Sequence, residues 1–583
     1  MSVHPALVPA VAANTRPGRG AGRIGEFLRD PALALMALSV AILCFLVLYP
    51  VFWLFYGSFS YGSQSLGEVL AQISRLPGLE RAFMNTVWLV AGTVPLAFLF
   101  ALPLVWITTR TDTPMKGLID LAAILPFITP PLIGAVAWSL LAAPRTGLIN
   151  VMGRQLGATA PLLNIYRMWG LIFVMALYLS PYVFLTVKAL MQRMDASLED
   201  ASLIAGASVG ATIRRVLIPI TMPAILSAGI LVFTRALEEF AIPGVLGAPS
   251  GIYTLTTYIY YQAISYTPPR YEVAAVLASV LMGVTAFCLG VQSWILGGGR
   301  RFTTVSGKAQ APRLLRLGRL RYVTLAYALA YIVLAVGLPY LVLIYAAFIK
   351  SWGQLPTFDN LTLANIGATF NPTLTVAPGL ANSIVLAVSG ATIATLLTLV
   401  ISYTMTKSGL FIRSALDFIG SIPLAMPGPV IAVAMLWAYL HPPFVLYGTL
   451  WILLVAYVTH YLPYGVRTIT GSFGQLSVEL ERAAEVCGAS RFARFRDILF
   501  PLVRPGVLAG WLLMFVSMIR ELSSSIFLFV PGTETAAVAL LAMWQEARFS
   551  YVAVLSLALI LISVTVVLIV RYLSGSAYLA GQR

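Results

Sequence analysis

Five charged side chains stand inside otherwise apolar runs of this sequence: Arg235, Glu238 and Glu239 within 223–246, and Arg520 and Glu521 within 505–530. A charge near the centre of a bilayer costs about 2.5 kcal/mol or more on insertion scales, so such groups face a bundle interior or an aqueous path. Two roles fit the spacing. Arg235 precedes the two glutamates by three and four residues, the spacing of an ion pair on one helix face. Alternatively Glu239 and Glu521, 282 residues apart, line or gate a translocation path, where their charge suits a cation. Pro243 and Gly244 fit a kink in a helix that lines a cavity. Other bond-making chemistry is missing. No nucleophile–base set and no paired catalytic carboxylates stand out, so an enzyme is not expected. His441 and His460 are lone histidines in or near apolar runs and read as packed or hydrogen-bonded rather than as metal ligands. Cys44, Cys288 and Cys487 are too far apart for a disulfide framework or a metal spacing. Gly307-Lys308 is followed by Ala309 and lacks the upstream glycine of a phosphate-binding loop. The chain therefore carries neither a metal site nor a cofactor of its own.

The elements that hold these charges are set by composition. Of 583 residues, 59% are hydrophobic and only 10% charged, and the mean hydropathy is +0.90. A soluble chain carries about 25% charged residues. In a bilayer only helices and closed barrels satisfy every backbone N–H and C=O, and the long unbroken apolar runs favour helices. The runs predict an all-α membrane protein of about twelve spans. Six lie at 32–57, 85–108, 117–142, 168–190, 223–246 and 272–296, and six at 322–348, 381–405, 415–440, 448–467, 505–530 and 551–573. This divides the chain into an N-terminal tail 1–31, a first unit 32–296, a linker 297–321, a second unit 322–573 and a tail 574–583. The first run is too long for a signal peptide and reads as an uncleaved span. The linker holds seven Lys or Arg and no acid, which places it and both termini in the cytoplasm. The formal charge of +16 is thus a topology signal, with lipid rather than nucleic acid as the partner.

The two units repeat one another. Asn85-Thr86 matches Asn382-Ser383, Arg110 matches Lys407, and Pro126 with Pro130 matches Pro423 with Pro427, all at one offset. Six spans per unit with both ends on one side make a parallel repeat about an axis along the membrane normal. After the fourth span of each unit comes a loop with a common pattern. The first runs from Glu199, Asp200, Ala201 and Ser202 to Gly206 and on to Pro219; the second runs from Glu481, Arg482, Ala483 and Ala484 to Gly488 and on to Pro501. Small residues let another protein approach closely. The glycine ends a short helix by accepting positive φ. A second amphipathic helix then leads to a proline that starts the next span. A plain interfacial hairpin is the other reading of such a loop.

This pattern resembles the EAA loop of binding-protein-dependent ABC importer permeases, and the likeness covers nearly the whole chain. It implies a MetI-like type I permease fold in two fused copies. It also implies that both loops form coupling helices seated in the clefts of an ABC ATPase dimer, which binds ATP and Mg. Asp200, Ser202 and Arg482 depart from the usual pattern and predict two unequal sockets. The segments around Glu239 and Glu521 resemble those of ferric-iron and thiamine permeases. The resemblance thus implies an inner-membrane importer fed by a periplasmic binding protein, with ferric iron as the leading cargo and thiamine, polyamine, phosphonate or sugar phosphate as alternatives. Gly62–Ala82 and Ser351–Gly379 are the candidate docking segments for that protein. An ion-coupled secondary transporter would account for the repeat and the intramembrane glutamates, but not for the paired loops.

Overall fold

The computed structural model describes residues 31–60, 67–68, 71, 73, 75–194, 197–297, 314–353, 357–371, 374–440 and 442–580. The N-terminal tail to residue 30, most of the linker and His441 lie outside them.

Nine helices among the described residues are long and apolar enough to cross a membrane. In the first unit they are α1 (Ala34–Ser58), α2 (Leu79–Arg110), α5 (Met168–Gln192), α7 (Gly210–Glu238) and α8 (Tyr271–Trp294). In the second they are α9 (Gly318–Ala347), α10 (Val376–Lys407), α15 (Arg491–Ile519) and α16 (Phe549–Val570). Two of the twelve expected spans are instead bent pairs: α3 with α4 (Lys116–Ile128 and Pro131–Ala142, 103°) and α11 with α12 (Phe411–Ala425 and Gly428–Tyr439, 106°). The matched prolines cause the bends. A residue before proline is driven to extended backbone. Thr129 before Pro130 has ψ 130°, and Met426 before Pro427 has ψ 94°. The remaining expected span, 448–467, is α13 (Leu450–Phe473), with His460, Arg467 and several tyrosines among its apolar residues.

The bends place α4 and α12 in the core, where every residue from Leu132 to Ala142 and from Gly428 to Tyr439 is buried. Apolar residues all round a helix demand that position. The first helix of each unit crosses to the other: α1 packs on α12, and the end of α9 on α4. Gly57 makes the first crossing possible, since a Cβ there would lie 2.5 Å from the Trp437 ring.

The repeat extends to single hydrogen bonds. Thr86 accepts from the Leu255 amide (2.9 Å) and Ser383 from the Ala536 amide (2.8 Å), each at the start of a short helix after the unit's fifth long helix. Asn85 and Asn382 donate to the carbonyls of Tyr253 and Glu534, both at 2.9 Å. Each signature pair thus fastens the second long helix of its unit to that short helix.

Candidate functional site

The two loops are built alike. The first helix is α6 (Ser197–Ile204) in one unit and α14 (Val478–Val486) in the other. Gly206 and Gly488 follow with φ +86° and +80°. Beyond the glycine, the Ala207 amide reaches back to the Ser202 carbonyl (3.1 Å) and the Ala489 amide to the Ala484 carbonyl (3.0 Å). These are Schellman closures, the helix ending that a glycine permits. Ser208 and Ser490 then accept from the amides three residues on, as N-caps do (3.3 and 3.2 Å).

The two prolines depart from the expectation. Pro219 and Pro501 do not open a new helix after a break. They sit inside the continuous helices α7 and α15. Immediately before them the chain makes one π-helical turn, Ile213–Leu217 and Phe495–Leu499, in which the amides of Ile218 and Phe500 bond five residues back. A widened turn accommodates the ring that would clash in a regular helix. Pro50 and Pro339 come after π turns in the same way. The second helix of each loop and the membrane helix are therefore one rod in each unit.

The leading glutamates point inward. Glu199 pairs with Arg110 at 2.7 Å, with side chains only 9% and 2% exposed, and Arg110 also donates to the Met191 carbonyl (3.0 Å). Glu481 pairs with Lys407, whose side chain is 37% exposed. Arg110 and Lys407 end α2 and α10, so each loop is anchored to its unit's second long helix by a repeated ion pair. Ala201 and Ala483 are exposed, while Ala484 is buried. Two residues before each glycine an apolar side chain stands free, Ile204 at 87% and Val486 at 89% exposure.

The intramembrane charges meet between the units. A cavity of about 70 Å³ is lined by residues that include Tyr182, Arg235, Glu238, Glu239, His460, Tyr461, Arg520 and Glu521. Arg235 pairs with Glu238, three residues on, and not with Glu239. Its guanidinium lies between the rings of Tyr182 and Tyr464, 5.8 and 5.4 Å from their centroids. Those tyrosines occupy equivalent positions of α5 and α13, so the cation sits where the two units meet. Glu239 and Glu521 cap the broken ends of their helices. Glu239 accepts from the Ala241 amide (2.9 Å). Glu521 accepts from the Ser524 amide (2.8 Å), the Ser524 hydroxyl (2.9 Å) and the Tyr461 hydroxyl. Arg520 donates to the Phe127 carbonyl and the Tyr182 hydroxyl of the first unit. His460 is buried and stacked on Tyr461, with Nδ1 lacking a hydrogen-bond partner.

The structure gathers the five charges singled out in the sequence at one cavity and adds Phe127, Tyr182 and Tyr461. The repeat offset, which pairs Tyr182 with Tyr464, was a signal for Tyr182 alone. A second cavity, of about 320 Å³, lies at the end of the bundle away from the loops, between Ser139 and Tyr166 of one unit and Trp352, Trp544 and Phe549 of the other. Among the described residues no three His, Cys, Asp or Glu side chains gather as a metal site.

A family model described as "Binding-protein-dependent transport system inner membrane component" matches residues 93–351 and 398–576. The chain belongs to that family. It is a fused two-unit permease of an ABC importer, an inner-membrane, multi-pass family. Its relatives include the ferric transport system permease protein FbpB of Actinobacillus pleuropneumoniae, 25% identical over 92% of this chain and 77% of that protein. The putative ferric transport system permease protein FbpB 1 of Haemophilus influenzae is 24% identical over 86% of this permease and 78% of its own length. The probable ABC transporter permease protein y4fN of Sinorhizobium fredii is 26% identical over 87% of this permease and 90% of its own length. Among solved structures, a bacterial ABC transporter chain involved in import of the polysaccharide alginate aligns with 48% of this permease and 100% of itself, at 18% identity and a TM-score of 0.38.

Proposed function

We propose that this permease imports ferric iron, driven by ATP hydrolysis on a separate ATPase dimer and supplied by a periplasmic binding protein. One observation carries the ATP-driven part: the paired loops each present a free apolar side chain, Ile204 or Val486, on a short helix that a closed glycine turn joins to the rod entering the membrane. A partner that grips that side chain pushes on the rod through the turn. The ion-paired glutamates hold each loop on its unit, and the surface of Ala201, Ile204 and Gly206, with its repeat of Ala483, Val486 and Gly488, receives the partner. Ferric iron rests on the relatives named for it, which align with about nine-tenths of the chain. The loops, the linker and both termini face the cytoplasm in this reading. The aromatic cavity at the far end is the entrance, and the cluster of Arg235, Glu238, Glu239, Arg520 and Glu521 is the constriction on the path.

The test is reconstitution in liposomes with candidate ATPase and binding-protein subunits from the same organism. Uptake of radiolabelled ferric iron is expected only when all three components and MgATP are present. Uptake of thiamine, a polyamine, a phosphonate or a sugar phosphate in its place would reassign the cargo. Ion-gradient-driven uptake by this chain without an ATPase would make it a secondary transporter.

A further inference from the structure

The charged cluster is not symmetric. Position 520 is the repeat equivalent of position 238, yet one holds arginine and the other glutamate. Glu238 is satisfied within its own helix by Arg235. Among the described residues Arg520 makes no ion pair with a carboxylate. It is held by the Phe127 carbonyl, by the Tyr182 hydroxyl at 3.1 Å, and by the Phe127 ring, 5.1 Å from the guanidinium carbon. All three partners belong to the first unit, whereas Arg520 belongs to the second.

The Phe127 carbonyl is free for a reason written in the sequence. In a continuous helix it would accept from the amide of residue 131, but that residue is proline and has no N–H. The first unit supplies this orphan acceptor and the second supplies the arginine that fills it. A buried guanidinium needs its donors filled, and charge-assisted bonds are the strong ones.

We infer that Arg520 is a positioning residue, an inter-unit pin that holds the path shut at the small cavity and must release when the units part. The inference rests on reading this cluster as the translocation path. It assigns Arg520 a state-dependent role in which the cargo takes no part.

The experiment uses right-side-out membrane vesicles containing the permease assembled with its ATPase. Cys44, Cys288 and Cys487 are replaced by alanine, and Ser523, which lines the cavity, is changed to cysteine. A membrane-impermeant thiol reagent then reports access to position 523. Arg520→Met, which removes both bonds, is expected to raise the labelling rate at least about tenfold over the parent, tenfold being the fold-change of losing one charge-assisted hydrogen bond. Arg520→Lys, which keeps a single donor for the Phe127 carbonyl, should fall between the two. Tyr182→Phe removes only the second bond and should raise labelling less; it carries the test if Arg520→Met does not assemble. Equal labelling in the parent and in every assembled variant overturns the pin. No labelling at position 523 in any variant or nucleotide state removes the path and the pin together. Because no cargo is needed, a failure of ferric uptake leaves the labelling result standing.

Discussion

Glu199 and Glu481 are the same residue by sequence and unequal by environment. Glu199 and Arg110 form a pair nearly closed to solvent, with a backbone carbonyl completing the arginine's contacts. Glu481 and Lys407 form a pair of which the lysine is more than one-third exposed. Removing one partner of a buried pair strands a charge and costs about 3–5 kcal/mol. Breaking a solvent-screened pair costs about 1 kcal/mol or less. Glu199→Ala should therefore lower the melting temperature of the purified permease and open the first loop to protease, while Glu481→Ala should change both only slightly. Equal losses in the two variants would show that the burial difference has no energetic weight. The spacing of Glu199 and Glu481 before the glycines was legible in the sequence, and so was the match of Arg110 with Lys407. That the glutamates point at those cations was not, because nothing in a one-dimensional pattern says which face of a short helix turns inward. The same limit applied to Arg235. Its spacing allowed Glu238 or Glu239, and the helix ending after Glu238 decided between them, leaving Glu239 to cap the next turn.

Proline decides much at the level of the elements. Matched prolines gave the repeat away in the sequence, but their local effects differ. Pro130 and Pro427 break helices outright, because the preceding residue goes extended. Pro50, Pro219, Pro339 and Pro501 break nothing, because a π turn ahead of each widens the helix. Hydropathy alone averages over both cases, so the bent pairs looked like single spans at 117–142 and 415–440. The bends matter because they bury α4 and α12 and create the surface on which the first helix of each unit crosses over. At the α1–α12 crossing, Gly57 lies under the indole of Trp437 with no room for a methyl group. Overpacking of this kind costs about 1–3 kcal/mol. Gly57→Ala should lower the thermal stability of the purified chain by that amount. Gly117→Ala, where nothing lies within 4 Å of the added carbon, serves as the control and should leave it unchanged. Equal melting curves for both variants would mean that α1 moves away from the indole at no cost, and that the crossing is loose.

Over the whole molecule, duplication builds the permease and divergence makes its two units unequal. Each unit supplies a loop that runs into a rod, a bent helix and a capping glutamate, but the anchors of the loops, the residues beside the capping glutamates and the prolines at the bends differ between units. A pair of loops with unequal anchors does not respond equally to the same push. Gly206 and Gly488 offer a direct measure, because both need positive φ and both have open space around them. Alanine at either position therefore introduces the same backbone strain, about 1–2 kcal/mol, and no clash. The first loop is held by a buried pair and by a hydroxyl bond across its turn, Ser202 to Thr212 at 2.9 Å. The second depends on the exposed Lys407 pair and on Glu485 with Arg494 at 3.0 Å, with the Glu485 side chain 66% exposed. Equal strain should distort the second loop more. In liposomes holding the complete importer, Gly488→Ala is expected to reduce cargo-stimulated ATP hydrolysis more than Gly206→Ala. Raising the salt should widen the difference, since the second anchor is the screened one. Identical reductions at all salt concentrations would make the two sockets equivalent, and unreduced hydrolysis in both variants would mean that these loops do not transmit the stroke.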